Sequence, residues 1–116
     1  MERFLGIDIV LKKRNVAVVQ LSGRLTFTES ERLHREIKQI VEEGYPSLVL
    51  DLHDLKFIDS SGLARFVASQ FLCEENGGKL YFTNISKQLM ELIYTTRLVN
   101  QFTIRDRPES ALNEIL

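Results

Sequence analysis

Short apolar runs alternate along the chain with stretches in which apolar residues recur every three or four positions. Runs of the first kind predict strands, and stretches of the second kind predict amphipathic helices. Two β-branched-rich runs, Ile7 to Leu11 and Val16 to Leu21, flank the polar stretch K-K-R-N and predict a β-hairpin. Ser47 to Leu52 is almost continuously apolar, which is typical of a central strand covered on both faces. Lys79 to Thr83 and Phe102 to Ile104 predict two further strands.

Four segments have helical spacing. Thr28 and Glu31 form a capping-box pattern that predicts Thr28 as the N-cap of the first helix. Asn76-Gly77-Gly78 ends the second helix, Ser86 caps the third, and Pro108 opens the fourth. The side chains predicted to face inward are, in chain order, Leu33, Ile37, Ile40 and Val41; Leu63, Phe66, Val67 and Phe71; Leu89, Leu92 and Ile93; and Leu112, Ile115 and Leu116.

The predicted order of elements is β-β-α-β-α-β-α-β-α. It indicates an α/β fold with a mixed, mostly parallel sheet, an N-terminal hairpin and crossover helices. A chain of 116 residues has room for one domain, so we expect a single domain over residues 1–116. Loops at the carboxyl ends of parallel strands carry function in such sheets. The segments D-S-S-G at 59–62 and T-N at 83–84 lie at two of these ends.

The composition is that of a soluble globular protein with a formal net charge of -1. With 15 basic and 16 acidic residues, no global field attracts nucleic acid or an anionic membrane. The single Cys73 excludes an internal disulfide and suits a reducing compartment. No apolar run approaches a membrane span, and the stretch M-E-R-F-L-G-I-D lacks a signal-peptide core. We therefore expect a cytoplasmic protein without membrane or direct nucleic-acid partners.

Motifs for catalysis, metal binding and cofactor binding are missing from the sequence. Neither His34 nor His53 lies in a recognisable catalytic motif, and the serines lack a G-x-S-x-G elbow. No His/Cys/Asp spacing matches a metal-ligand set, and no phosphate-binding P-loop is present. We expect no enzyme activity, no cofactor and no metal.

The D-S-S-G segment is the strongest candidate for function. Asp and Ser are favoured N-caps, and Gly62 allows a close backbone approach, so helix capping is one interpretation. One cap suffices for a helix, however. The second interpretation is a phosphate acceptor, because a helix N-terminus offers free N–H donors and the positive end of the helix dipole. Phosphorylation there adds about -1.5 to -2 charges without refolding the domain.

The chain resembles the bacterial anti-sigma factor antagonists, which are STAS domains (sulphate transporter and anti-sigma antagonist). The resemblance rests on L-V-L-D-L at 48–52 followed by F-I-D-S-S-G-L at 57–63, and it extends along essentially the whole chain. The supporting stretches are V-V-Q-L-S-G-R-L at 18–25 with its G-x-L turn, K-L-Y-F-T-N-I at 79–85 and L-M-E-L-I-Y-T-T-R-L at 89–98.

The resemblance implies a phosphorylation switch. In such proteins the unphosphorylated form binds an anti-sigma factor, which is also a serine kinase of the GHKL type, and so frees a sigma factor. Phosphorylation of the first serine of D-S-S-G releases the antagonist, and a PP2C-type phosphatase resets it. The implied acceptor is Ser60, with Ser61 as the alternative. The implied partner-binding residues are Asp59, Ser61, Gly62, Leu63, Gly23, Thr26, Thr28 and Asn84.

Thr26 departs from the family pattern, which usually has an acid directly after G-x-L. The loss of that charge could ease accommodation of a phosphate, or it could remove a kinase contact. The alternative function is therefore an interaction module that is never phosphorylated, as in stressosome-like scaffolds or transporter-associated domains.

Overall fold

The computed structural model describes residues 4–116, and Met1–Arg3, part of the N-terminal stretch without a signal-peptide core, lie outside it. The order of elements matches the predicted order. The elements are β1 (Leu5–Lys13), β2 (Val16–Leu25), α1 (Phe27–Glu42), β3 (Ser47–Ile58), α2 (Ser60–Glu75), β4 (Leu80–Thr83), α3 (Lys87–Thr95), β5 (Thr103–Arg105) and α4 (Pro108–Ile115). Among these residues, no helix is both long and apolar enough to cross a membrane.

The five strands form one mixed sheet in the order β1-β2-β3-β4-β5. β1 and β2 are an antiparallel hairpin, and all other neighbours pair in parallel, as predicted. β3 continues to Ile58, well beyond the predicted end at Leu52. Its register with β2 shifts twice, so the strict alternation of apolar and polar positions is lost. This loss explains why the sequence pattern did not reveal the second half of the strand.

The two faces of the sheet are covered unequally. Ala17, Val19 and Leu21 of β2 pack with α1, α2 and α3 in the main core. Val16 and Val18, which alternate with them, pack with α4 on the opposite face. α4 therefore covers only the part of its face near the amino ends of β2 and β3.

Two of the predicted inward-facing side chains are exposed. Phe71 of α2 is 52% exposed, whereas Ser69 and Cys73 are buried. Phe71 is five positions after Phe66, which places it roughly 140° around the helix from that buried ring. Ser69 can occupy the core because its hydroxyl donates to the Arg65 carbonyl, 2.8 Å away. Leu116 follows the last turn of α4 and is exposed as well.

Burial of Cys73 predicts an unreactive thiol. Desolvation, with a smaller contribution from the charge of Glu74, raises the pKa of the Cys73 thiol to about 12. The reactive thiolate is therefore scarce at about pH 8. We expect a disulfide reagent such as DTNB to label the native protein slowly and the urea-unfolded protein fast. Rapid stoichiometric labelling of the native protein would contradict this placement of Cys73.

Candidate functional site

The D-S-S-G segment forms the junction between β3 and α2. β3 ends at Ile58, Asp59 is the extended N-cap residue, and α2 begins at Ser60. Asp59 Oδ1 accepts a hydrogen bond from the Gly62 N–H at 2.9 Å. The Asp59 N–H donates to the Leu25 carbonyl at 3.2 Å, which ties the junction to the end of β2. The capping interpretation of the segment is thus confirmed, with Asp59 as the cap.

The same carboxylate also holds the start of α1. Asp59 Oδ2 accepts from the Phe27 N–H at 3.1 Å. α1 begins at Phe27 with Thr26 in the N-cap position, and the Thr26 side chain makes no capping hydrogen bond. The prediction that Thr28 caps this helix is therefore wrong. Thr28 lies exposed in the first turn, and Asp59, which is distant in sequence, supplies a side-chain hydrogen bond at the start of α1 instead.

Ser60 is exposed, and Ser61 beside it is half-buried. Within residues 4–116, neither hydroxyl takes part in a side-chain hydrogen bond. The Gly62 and Leu63 N–H groups bond to Asp59, whereas those of Ser60 and Ser61 precede the first intrahelical hydrogen bond. Ser60 therefore offers an accessible hydroxyl at a helix N-terminus, and the backbone N–H groups there can still donate hydrogen bonds to an anion.

Gly62 and Leu63 lie beneath this surface. A Cβ atom on Gly62 would lie 2.7 Å from the Leu25 carbonyl oxygen and equally close to the Ile58 side chain. The close backbone approach that Gly62 was expected to allow is therefore the packing of α2 against the ends of β2 and β3. Leu63 is only 4% exposed and belongs to the main core. In this conformation both residues set the position of Ser60, and neither offers a side chain to a partner.

Two other residues implied by the resemblance lie away from the expected place. Gly23, with φ of 84°, is buried inside β2 opposite a bulge in β3, so the G-x-L segment continues the strand and is not a turn. Asn84 follows β4 and donates through Nδ2 to Asp51 Oδ1 at 2.8 Å. Asp51 lies on β3, eight residues before Asp59, so Asn84 is remote from the D-S-S-G segment. The structure thus brings Thr26, Thr28 and the D-S-S-G segment together but not Asn84.

The sequence analysis did not identify two exposed phenylalanines near Ser60. Phe27, whose N–H binds Asp59, is 76% exposed, and Phe57 of β3 is 42% exposed. The Arg24 guanidinium lies 4.2 Å from the centre of the Phe57 ring. The sequence has no signal for either ring, because Phe27 stands alone between two threonines and Phe57 follows the broken alternation of β3.

An ion pair joins the two helices that Asp59 caps. Arg65 of α2 donates to Glu31 of α1 at 2.8 Å. Asp59 and this pair together fix α1 and α2 relative to each other near Ser60.

Replacement of Asp59 by Ala should destabilise the protein more than removal of an ordinary cap. It removes the acceptor for the N–H groups of Phe27 and Gly62, so we expect a loss of about 2 kcal/mol in the free energy of unfolding. Ser86→Ala is the matched control. Within residues 4–116 the Ser86 hydroxyl accepts only from Leu89, and its loss should cost about 1 kcal/mol. Urea denaturation of both variants measures the difference, and equal losses would refute the double cap.

Comparisons with known proteins agree with this geometry. The family model of the STAS domain matches residues 9–111. The chain is 27% identical over 103 residues to an anti-sigma F factor antagonist of Paenibacillus polymyxa, covering 88% of each protein. It is 26% identical over 108 residues to an anti-sigma-B factor antagonist of Bacillus subtilis, covering 93% of this chain and 97% of that one.

Solved structures show the same fold. A putative anti-sigma factor antagonist from Thermotoga maritima superposes with a TM-score of 0.82 at 19% identity, covering 97% of this chain and 95% of that one. The phosphorylated form of the Bacillus cell fate determinant SpoIIAA superposes with a TM-score of 0.73 at 19% identity, covering 96% of this chain and 100% of that one. The match of the STAS domain model to most of the chain, together with the order of elements and strands, shows that this chain belongs to the STAS domain family.

Proposed function

We propose that this chain is a phosphorylation-controlled anti-sigma factor antagonist. Its unphosphorylated form binds an anti-sigma factor that is also a GHKL-type serine kinase, and this binding frees a sigma factor. Phosphorylation of Ser60 ends the interaction, and a PP2C-type phosphatase restores it. The observation that carries the proposal is the exposed Ser60 hydroxyl at a helix N-terminus that Asp59 already caps.

A phosphate on Ser60 acts by charge and needs no rearrangement. The free N–H groups at the start of α2 and the helix dipole favour an anion there. The modification adds about -1.5 to -2 charges next to the Asp59 carboxylate. A partner that packs over Phe27 and Phe57 would have to desolvate this charge. A loss of about 3 kcal/mol in binding free energy lowers the affinity more than a hundredfold.

The protein is proposed to act in the cytoplasm by binding alone and to catalyse no reaction. The kinase supplies ATP chemistry, and Ser60 supplies the hydroxyl that accepts the phosphoryl group. Serine at a helix N-terminus becomes a nucleophile only when a base lies within reach. No side-chain hydrogen bond to Ser60 from a histidine or any other base exists within residues 4–116.

Thr26 favours a second candidate function, an interaction module that is never phosphorylated. Thr26 occupies the N-cap position of α1, next to the Phe27 N–H that binds Asp59. An acid at this position would stand near the acceptor, and its replacement by Thr26 removes a possible contact for the kinase. Such a module would bind its partner constitutively.

Ser60→Asp should abolish binding to the anti-sigma factor while leaving thermal stability nearly unchanged, because Ser60 is exposed and caps no helix. Ser60→Ala should bind like the wild type and accept no phosphate from the kinase. Titration calorimetry with the purified anti-sigma kinases of the host measures both. Ser61→Ala is the matched control, and we expect it to remain a substrate for phosphorylation.

The two candidate functions predict different phosphorylation of Ser60 in the host. Mass spectrometry of the protein from its own cells, with and without phosphatase treatment, should show a phosphatase-sensitive phosphate on Ser60. Wild-type affinity of Ser60→Asp, together with the absence of phosphate under all growth and stress conditions, would support the constitutive module instead.

A further inference from the structure

The second half of β3 has a free edge. β4 pairs with β3 only from Leu48 to Asp51, whereas β3 continues to Ile58. Residues 52–58 therefore have β2 on one side and, within residues 4–116, no strand on the other. The His53 N–H is satisfied by Asp51 Oδ1 at 3.1 Å, so the open part of the edge begins after it. An unpaired strand edge binds another extended chain through main-chain hydrogen bonds.

A groove of about 310 Å³ runs along this edge. One wall is Leu55–Ile58 of β3, and the other is formed by Ser86 and by Gln88, Leu89 and Leu92 of α3. The groove therefore combines an unpaired backbone with apolar side chains, the two features of sites that bind peptides as an added strand. It leads directly to the acceptor, because Ile58 is followed by Asp59 and Ser60.

The charge of the groove indicates which kind of segment fits. Lys56 is the only charged side chain among the residues that line it. Lys56 is exposed and forms no ion pair within residues 4–116. A carboxylate on the bound segment would complement this cation, and apolar side chains would cover Leu89 and Leu92. β3 leads on to Ser60, so an acidic side chain at the end of the bound segment that approaches Ser60 would be repelled by a phosphate there.

We infer that an extended, acidic and apolar segment of the anti-sigma factor binds in this groove as an additional strand beside Leu55–Ile58 of β3. This inference rests on the proposed function and names the docking surface that the switch at Ser60 controls. The apolar side chains of the segment contact Leu89 and Leu92, and an acidic side chain pairs with Lys56. Strand addition places the segment close enough to Ser60 for phosphorylation to expel it by charge repulsion.

Two exposed substitutions test the surface without disturbing the core. Gln88→Trp fills the groove, and Lys56→Glu reverses its charge. Gln39→Trp and Lys38→Glu make the same changes on exposed positions of α1, which does not line the groove. We expect both groove variants to lower the affinity for the anti-sigma factor about tenfold or more, and both controls to bind like the wild type. Equal affinity of the groove variants and their controls would overturn the inference.

Hydrogen exchange tests the binding mode. Strand addition should slow exchange of those amides in Leu55–Ile58 that do not bond to β2 when the anti-sigma factor is bound. Weaker binding of the groove variants without slower exchange at these amides would mean that only side chains dock, and strand addition would be wrong.

A peptide probe separates failure of this inference from failure of the proposed function. The peptide S-D-L-D-V-D-S should shift the amide resonances of Leu55–Ile58, and S-K-L-K-V-K-S should not. If no anti-sigma factor binds the wild type but the acidic peptide does, the proposed function fails and the groove stands. If the anti-sigma factor binds while neither the acidic peptide nor the groove variants show an effect, the function stands and the groove is wrong. If neither the anti-sigma factor nor the acidic peptide binds, both proposals are overturned.

Discussion

A single carboxylate organises the end of the sheet where function is proposed. Asp59 accepts the Gly62 N–H at the start of α2 and the Phe27 N–H at the start of α1. These two helices follow different strands, so the carboxylate also fixes the carboxyl ends of β2 and β3 relative to each other. Donors at a helix start need partners, and one side chain supplies a partner to each of two helices.

This arrangement explains why an acid, two hydroxyls and a glycine occur together. Asp59 performs the capping, so the Ser60 hydroxyl is not needed to hold the helix. Gly62 lets α2 come so close to the Leu25 carbonyl that a methyl group would collide with it. The helix N-terminus is thus firmly held while its first residue stays exposed. Capping by Asp59 therefore leaves the Ser60 hydroxyl free for the phosphorylation that we propose.

The surroundings of Ser60 differ on its two sides. Phe27 at the start of α1 presents an exposed ring. Along β3, the early end of β4 leaves an open strand edge and an apolar groove against α3. The early end of β4 thus leaves a surface with main-chain hydrogen-bonding groups close to Ser60. An interface built on this surface would be sensitive to charge at the end of β3.

Much of the fold could be predicted because its signals are local. The order of elements, the hairpin and the buried stripe of α1 follow from apolar spacing, and Pro108 and Ser86 mark helix starts through their own backbone and hydroxyl chemistry. The same reasoning failed at Phe71, because a helix with apolar residues around most of its surface does not reveal which side it buries. It failed again after Leu52, because bulges in β3 break the period of two.

The candidate site divides in the same way. The sequence by itself determined that Asp59, Ser60, Ser61 and Gly62 stand between a strand and a helix, since neighbouring residues carry that information. Only the tertiary structure decided that Asp59, and not Thr28, supplies the hydrogen bond at the start of α1. It alone also decided that Asn84 lies beside Asp51, and that Phe27 and the groove face solvent. These properties arise between residues far apart in the chain, and no local pattern encodes such distances.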